Sequence, residues 1–147
     1  MLRGSFNVIG AGRLRMATFK PETTLNEAEN ENYARMRLRV VRQVQFGTTV
    51  GDKRSIDLVL FCNGIPVATL ELKTDFTQSV RHAIEQYKND RDPKEKNGGR
   101  NPLLDFGRRA LVHFAVSNSE VWMTPRLDGA KTHFLPFNRG SDDGKGN

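Results

Sequence analysis

The sequence has little cysteine and histidine and no long apolar run, and each shortage excludes a class of protein. Its one cysteine, Cys62, cannot form an internal disulfide and suits a reducing compartment. The 3 histidines are scattered and show no zinc-site spacing. No apolar run approaches the ~20 residues that cross a bilayer, and the start, MLRGSFNVIGAG, lacks the apolar stretch of a signal peptide. We expect a cytoplasmic protein without a membrane partner.

Positive charge, in contrast, is in excess. The chain has 23 Lys and Arg against 17 Asp and Glu, a formal net charge of +6. This surplus favours a polyanionic partner, although a solubilising surface explains it equally well. The 147 residues suffice for one compact domain.

The order of predicted elements indicates the fold class. Short strands around Gly-rich turns precede a helix that Thr24 and Glu27 cap, with an apolar stripe that includes Leu25 and Tyr33. Three strands follow, then a helix from Asp75, capped with Gln78, to about Arg91, then a polar mobile loop and further strands at 109–117, 120–126 and THFLPFN. This order predicts a single-domain α/β fold, a mixed central sheet flanked by helices. We assign 1–20 to N-terminal strands, 21–137 to the main domain and 138–147 to a flexible tail.

The hairpin SIDLVLFCNGIPVATLELKTD carries three charges at one end: Asp57, Glu71 and Lys73. Because side chains alternate along a strand, Glu71 and Lys73 share a face. A strict two-residue Asn63-Gly64 turn would set Asp57 opposite Leu70, on the other face. We predict instead a pairing shifted by one residue, through a three-residue loop or a bulge, that sets Asp57 opposite Glu71 and unites the apolar sets.

Facing carboxylates repel each other unless a cation lies between them. Mg²⁺ suits one or two carboxylates together with waters and a substrate phosphate. A neighbouring lysine can contact a phosphate oxygen or activate the attacking water. The alternative is an ordinary Glu-Lys ion pair at a strand end beside an unrelated Asp.

An Asp on one strand followed by Glu-x-Lys at the end of the next resembles the PD-(D/E)xK nuclease signature, with Asp57 and Glu71-Leu72-Lys73 in those positions. From about Phe19 onward the chain looks like the N-terminal nuclease domain of type I restriction enzyme R subunits. The segments that carry this resemblance are IDLVLFCNGIPVATLELKTDFTQS, HAIEQYKNDRDP, LVHFAVSNSEVWMT and THFLPFNRG.

The resemblance implies a restriction-endonuclease-like fold and a type I site-specific deoxyribonuclease that cleaves double-stranded DNA with Mg²⁺. Asp57, Glu71 and the backbone carbonyl of Leu72 would then be metal ligands, and Lys73 the catalytic lysine. It also implies methylation and specificity subunits as partners. ATP would serve only the motor of the full subunit, which we expect elsewhere because this chain has no GxxxxGK[ST].

The family's Gln-x-x-x-Tyr element is only partly present. Tyr87 fits the tyrosine, but Ala83 occupies the glutamine position and Gln86 is adjacent to Tyr87. Gln86 and Tyr87 are therefore accessory candidates, and Tyr87 is equally well explained by packing. A further acid is expected from the first helix, where Glu27, Glu29 and Glu31 are the candidates.

Basic residues near the second helix are candidate DNA-phosphate contacts. Arg81, Lys88 and Arg91 are expected on or beside its exposed side, with Lys94 and Lys96 in the next loop. A solvated helix face explains each of them equally well. Two other functions stay open: a non-catalytic DNA-binding or assembly module of the restriction complex, and a stand-alone repair or recombination nuclease.

Overall fold

The computed structural model describes residues 5–10, 12–76, 79–95 and 97–138. The predicted tail beyond Asn138, together with Gln78 and Lys96, lies outside these residues. The chain divides into two compact units. The first contains the described residues up to Arg39 together with Phe61–Ile65, and the second contains Val40–Leu60 and the chain from Pro66 onward. Across the described part, no helix has the length and apolarity needed to span a membrane.

The first unit contains a hairpin and a short helix. Strands β1 (Ser5–Val8) and β2 (Gly12–Arg15) pair antiparallel, as predicted. Helix α1 (Glu27–Ala34) begins at Asn26, whose side chain accepts a hydrogen bond from Glu29 N at 3.2 Å. The cap predicted at Thr24 is therefore wrong, because Asn26 provides a cap two residues later. The apolar stripe is wrong as well, since α1 buries no residue and Leu25 is 90% exposed.

The remaining strands form one mixed sheet in the order β3-β4-β5-β6-β7-β8. Strands β5 and β6 are parallel, while β6, β7 and β8 pair antiparallel. The predicted α/β class with a mixed central sheet is thereby confirmed. The strands are β3 (Leu38–Gln45), β4 (Ser55–Cys62), β5 (Ile65–Leu72), β6 (Val112–Val116), β7 (Val121–Thr124) and β8 (Leu135–Asn138).

The turn between β4 and β5 consists of Asn63 and Gly64, both at positive φ (50° and 84°). Positive φ at both central residues is the requirement of a type I′ turn, whose twist matches that of the strands. The left-handed conformation predicted for Gly64 is confirmed, but the three-residue loop is wrong. Asn63 also secures the turn, because its Oδ1 accepts from Arg37 N at 2.8 Å.

Helix α2 (Val80–Asp90) packs on β6 and β7. Its N-cap is Ser79, whose backbone N–H donates to Nδ1 of His82 at 3.1 Å, so the cap predicted at Asp75 is wrong. The predicted inner face is confirmed: Val80, Ala83 and Tyr87 are buried and Ile84 packs beside them. This face positions the side chains of α2 over the sheet.

The polar segment after α2 is largely exposed, but part of it packs against the domain. Asn101 is fully buried, and its Nδ2 donates to the carbonyl of Phe46 and to Oε1 of Glu95, both at 2.8 Å. Glu95 in turn pairs with Arg54 at 2.7 Å. Paired polar groups can be buried at little cost, so the polar composition of this segment did not indicate that Asn101 is buried.

Candidate active site

Asp57 and Glu71, the two carboxylates singled out from the sequence, lie close enough to interact directly. Oδ2 of Asp57 accepts a hydrogen bond from the backbone N–H of Leu72 at 2.9 Å. Its Oδ1 accepts from Nε2 of Gln43 in β3, also at 2.9 Å. The two carboxylates therefore converge at the end of the hairpin remote from the turn, where the Asp57 side chain itself reaches β5.

Glu71 has no exposed surface. Nε of Arg91 donates to its Oε1 at 2.7 Å. Burial raises the pKa of Glu71 to about 7, Arg91 opposes this rise, and the neighbouring Asp57 adds to it. A buried carboxyl group whose pKa lies near neutrality beside a second carboxylate is typical of functional sites.

Two buried side-chain oxygens have no hydrogen-bond partner among the described residues, Oε2 of Glu71 and Oε1 of Gln86. An unpaired buried acceptor costs about 1–3 kcal/mol, so each of these atoms requires a physical reason. Carboxylate and amide oxygens are ligands that hard cations take. Within the described part no three His, Cys, Asp or Glu side chains form a metal group. The arrangement thus offers a cation two carboxylates, which matches the few protein ligands of Mg²⁺.

Arg91 lies in the interior of the molecule, 7% exposed. Its expected position on the exposed side of the helix is wrong, because the backbone leaves the helix there (φ −120°, ψ 35°) and the side chain turns inward. Besides Glu71, its guanidinium donates to the carbonyl of Ser55 at 2.9 Å. It also lies over the ring of Phe46, which Arg54 contacts as well. Arg91 therefore connects both strands of the hairpin.

A buried chain of three polar side chains is centred on Thr69, which lies on the same strand as Glu71. Oγ1 of Thr69 is 2.8 Å from the hydroxyl of Tyr87 and 2.7 Å from Nδ1 of His113. All three residues are buried. Burial lowers the pKa of His113 to about 4 and raises the pKa of Tyr87 well above its usual value. If the neutral imidazole carries its proton on Nε2, Thr69 donates to His113 and accepts from Tyr87, and with the proton on Nδ1 both directions reverse, so each hydroxyl has a partner in either tautomer.

The catalytic-lysine candidate, Lys73, follows β5 directly and is half-buried. Its backbone N–H donates to the carbonyl of Val116 at 2.8 Å, which fixes this end of β5 against β6. Leu72, whose carbonyl was the third ligand candidate, is 40% exposed and pairs in register with Val116. Lys73 thus lies two residues after Glu71 in the chain, and its backbone is fixed by the hydrogen bond to β6.

The remaining residues predicted from the sequence make few contacts that bear on the site. Glu31 in α1 forms an exposed pair with Arg35 at 3.2 Å. Arg81 is exposed and Lys88 half-buried on α2. Tyr87 packs against the sheet and donates to or accepts from Thr69. The roles proposed for these side chains stay predictions.

Sequence reasoning missed two residues of the site, Gln43 and Thr69. Gln43 has positive φ (49°) within β3, a rare conformation for a residue other than glycine. Its amide is oriented by Ser55, whose Oγ donates to Oε1 of Gln43 at 2.9 Å. Alternation along β5 could have indicated Thr69, because it shares a face with Glu71.

Residues 18–132 match the family model described as type I restriction enzyme R protein N terminus. The chain belongs to this family. No curated protein and no solved structure matches the chain significantly. The match covers the hairpin with Asp57 and Glu71, helix α2 and strands β6 and β7, so the described site lies inside the region that defines the type I R protein N terminus.

Proposed function

We propose that this type I R protein N-terminal domain is a Mg²⁺-dependent endonuclease that hydrolyses phosphodiester bonds of double-stranded DNA. The observation that carries the proposal is the buried Oε2 of Glu71, which has no hydrogen-bond donor among the described residues although the Asp57 carboxylate lies beside it. A hard divalent cation relieves both the unpaired acceptor and the repulsion.

Asp57 and Glu71 would hold the cation, together with the carbonyl of Leu72. When bound, Mg²⁺ supplies a Lewis acid for a phosphoryl oxygen and lowers the pKa of a coordinated water. Arg91 holds Oε1 of Glu71, which leaves Oε2 without a hydrogen-bond partner among the described residues. This division of the two oxygens keeps the carboxylate in one orientation, and preorganised ligands lose less entropy on binding.

Lys73 would act on the substrate. Its ammonium group would contact a nonbridging oxygen of the scissile phosphate, or position and activate the attacking water, and so stabilise the pentavalent phosphorane. The fixed backbone between β5 and Val116 supports this role, because it restricts where the side chain of Lys73 starts.

The experiment is cleavage of plasmid DNA by wild type, Lys73→Ala and Lys53→Ala, each with Mg²⁺, Mn²⁺ or EDTA. Lys53 is exposed in the segment between β3 and β4 and is not among the candidate site residues, so its replacement is a control that removes the same charge. We expect metal-dependent nicking by wild type and Lys53→Ala, and at least a hundredfold loss in Lys73→Ala. DNA binding without cleavage by wild type in either metal would refute catalysis and favour the assembly module.

A further inference from the structure

A groove on the flank of α2 is separate from the carboxylate pair, and no role has been assigned to it. Its cavity of about 290 Å³ is lined by an apolar floor and three basic side chains. The floor consists of Ile84, Trp122 and Phe134, and the basic side chains are Lys88, Lys131 and His133. We call this cavity the Lys88 groove. We propose that it binds backbone phosphates of duplex DNA; the choice of DNA as the polyanion rests on the proposed nuclease function.

The floor of the Lys88 groove is rigid. Ile84, Trp122 and Phe134 pack against a cluster of buried apolar residues between α2 and β6. The indole of Trp122 is further oriented by Glu120, whose Oε2 accepts from its Nε1 at 2.7 Å. Half-buried apolar rings in a fixed position provide a surface for a sugar or a base edge, whereas a loosely held patch would have to be ordered on binding.

The basic rim is held by a tight loop. Oγ1 of Thr132, a buried residue, donates to the carbonyl of Gly129 at 2.7 Å and accepts from Asp128 N at 2.8 Å. Its flanking residues, Lys131 and His133, are exposed. The loop also lies close to the end of α2, because a Cβ on Gly129 would come within 2.9 Å of a carboxylate oxygen of Asp92. The backbone positions of Lys131 and His133 are therefore fixed by this loop.

The charge of the groove favours an anion. The residues that line it include three basic side chains and no carboxylate. Two acids lie near the loop without lining the groove: Asp128 belongs to the loop itself, and Asp92 accepts from Lys94 N at 2.8 Å through its other oxygen. An ammonium group binds phosphate oxygens as a point charge, and imidazole retains an N–H donor in either protonation state. Two lysines and a histidine around one cavity are thus suited to one or two phosphates.

Acidic residues line the cavity next to the Lys88 groove. A second cavity shares Ile84 and Trp122 with it, but that cavity is lined by Asp75 and Glu120 as well as Arg81. Phosphates would be repelled there, so we place the DNA contact at the Lys88 end only. Helix α2 carries Lys88 to the groove, and Arg91, which directly follows this helix, contacts Glu71. Backbone contacts of this kind position a duplex without reading its sequence.

The test measures duplex binding in EDTA, where no metal-dependent cleavage occurs, as a function of salt concentration. Variants are Lys88→Ala, Lys131→Ala, their double variant, and Lys53→Ala as the charge-matched control. Each groove variant should lower the slope of log affinity against log salt by about one, equally for unrelated sequences. Lys53→Ala should leave the slope unchanged. Thermal melting of each variant verifies folding, and Lys131 is exposed, so its replacement leaves the core intact.

Trp122 is the chain's one tryptophan, so its emission reports directly on the floor of the groove. We expect a saturable change with DNA that has the same midpoint as binding and disappears in the double variant. Equal effects of Lys53→Ala and Lys88→Ala, or unchanged emission, would overturn the proposal. So would tight binding of polyglutamate at the groove without DNA binding, which would indicate an acidic protein partner. If the protein cleaves DNA but Trp122 emission does not respond, only the proposed role of the Lys88 groove is refuted. If binding depends on the groove but no cleavage occurs, only the proposed nuclease function is refuted.

Discussion

Arg91 donates from Nε to Oε1 of Glu71 across 2.7 Å, and the side chains of the two residues are 9% and 0% exposed. This pair fixes one oxygen of the carboxylate and leaves the other beside Asp57 without a donor among the described residues. The positive charge of Arg91 stabilises the carboxylate of Glu71 in the interior. Because Arg91 pairs with only one of the two oxygens, the other oxygen is available as a ligand in the proposed metal site. The same guanidinium also binds the carbonyl of Ser55.

The energy of this pair can be measured with a double-mutant cycle of Glu71→Gln and Arg91→Met in EDTA. Arg91→Met should lower the free energy of unfolding by about 3–5 kcal/mol, because it leaves a buried carboxylate without its cation. We expect a coupling energy above about 2 kcal/mol by urea denaturation. Arg108→Met is the control, since Arg108 pairs with Asp105 but is 65% exposed, and should cost under about 1 kcal/mol. Additive effects of the two buried replacements would contradict the pair's importance.

Asp57→Asn should change the stability in opposite directions with and without metal. In EDTA it removes a like charge beside Glu71, so we expect a rise of about 0.5–1 kcal/mol. The hydrogen bonds of Asp57 to Gln43 and Leu72 lie at exposed positions, where water can replace a lost acceptor. With Mn²⁺ the wild type should become the more stable protein, because a ligand that binds only the folded state raises its stability. Calorimetry in both buffers measures this crossing; a variant that gains as much from Mn²⁺ as the wild type would exclude Asp57 as a ligand.

The sequence predicted the hairpin because alternation and an Asn-Gly turn are local signals, whereas the convergence of its charges was predicted from a shifted pairing that a two-residue turn alone does not provide. It misplaced Arg91 because a helix-face projection assumes helical backbone, and α2 ends at Asp90. Gln43 could not be predicted at all, since positive φ within a strand depends on tertiary contacts rather than on local preference. Local pattern thus identified the candidate ligands, whereas their partners depended on how the chain closes around them.

Whether Tyr87 has an accessory role in catalysis can be tested by measuring both the stability and the cleavage activity of Tyr87→Phe. Tyr87→Phe removes the hydroxyl that pairs with Thr69 in the interior, so the free energy of unfolding should fall by about 1–3 kcal/mol. Because the ring stays in place, cleavage per folded molecule should remain within a few-fold of wild type. Tyr33→Phe, at an exposed position in α1, should change stability by less than about 0.5 kcal/mol. Unchanged melting with a hundredfold loss of cleavage would instead make Tyr87 a catalytic residue.

The buried His113 should make the protein lose stability in acid. Burial lowers its pKa to about 4 from the usual 6.5, so between these values the unfolded chain binds more protons than the folded one. Stability then rises with pH across this window and levels off above about 6.5. Glu71, whose pKa is raised to about 7, has the opposite effect, because its contribution is full below about 4.5 and is lost as the pH rises to 7.

Comparison with His113→Asn separates the two groups, because both proteins contain Glu71 and its contribution cancels in the difference. Asparagine keeps a neutral hydrogen-bonding atom near Thr69 and does not titrate. In EDTA, the stability of wild type relative to the variant should fall by up to about 3 kcal/mol as the pH is lowered from 7 to 4. Urea denaturation at several pH values measures it, with His133→Asn at an exposed position as the control. A difference that stays constant across this range would show that His113 has the same pKa in the folded and the unfolded protein, which would contradict a buried neutral imidazole beside Thr69.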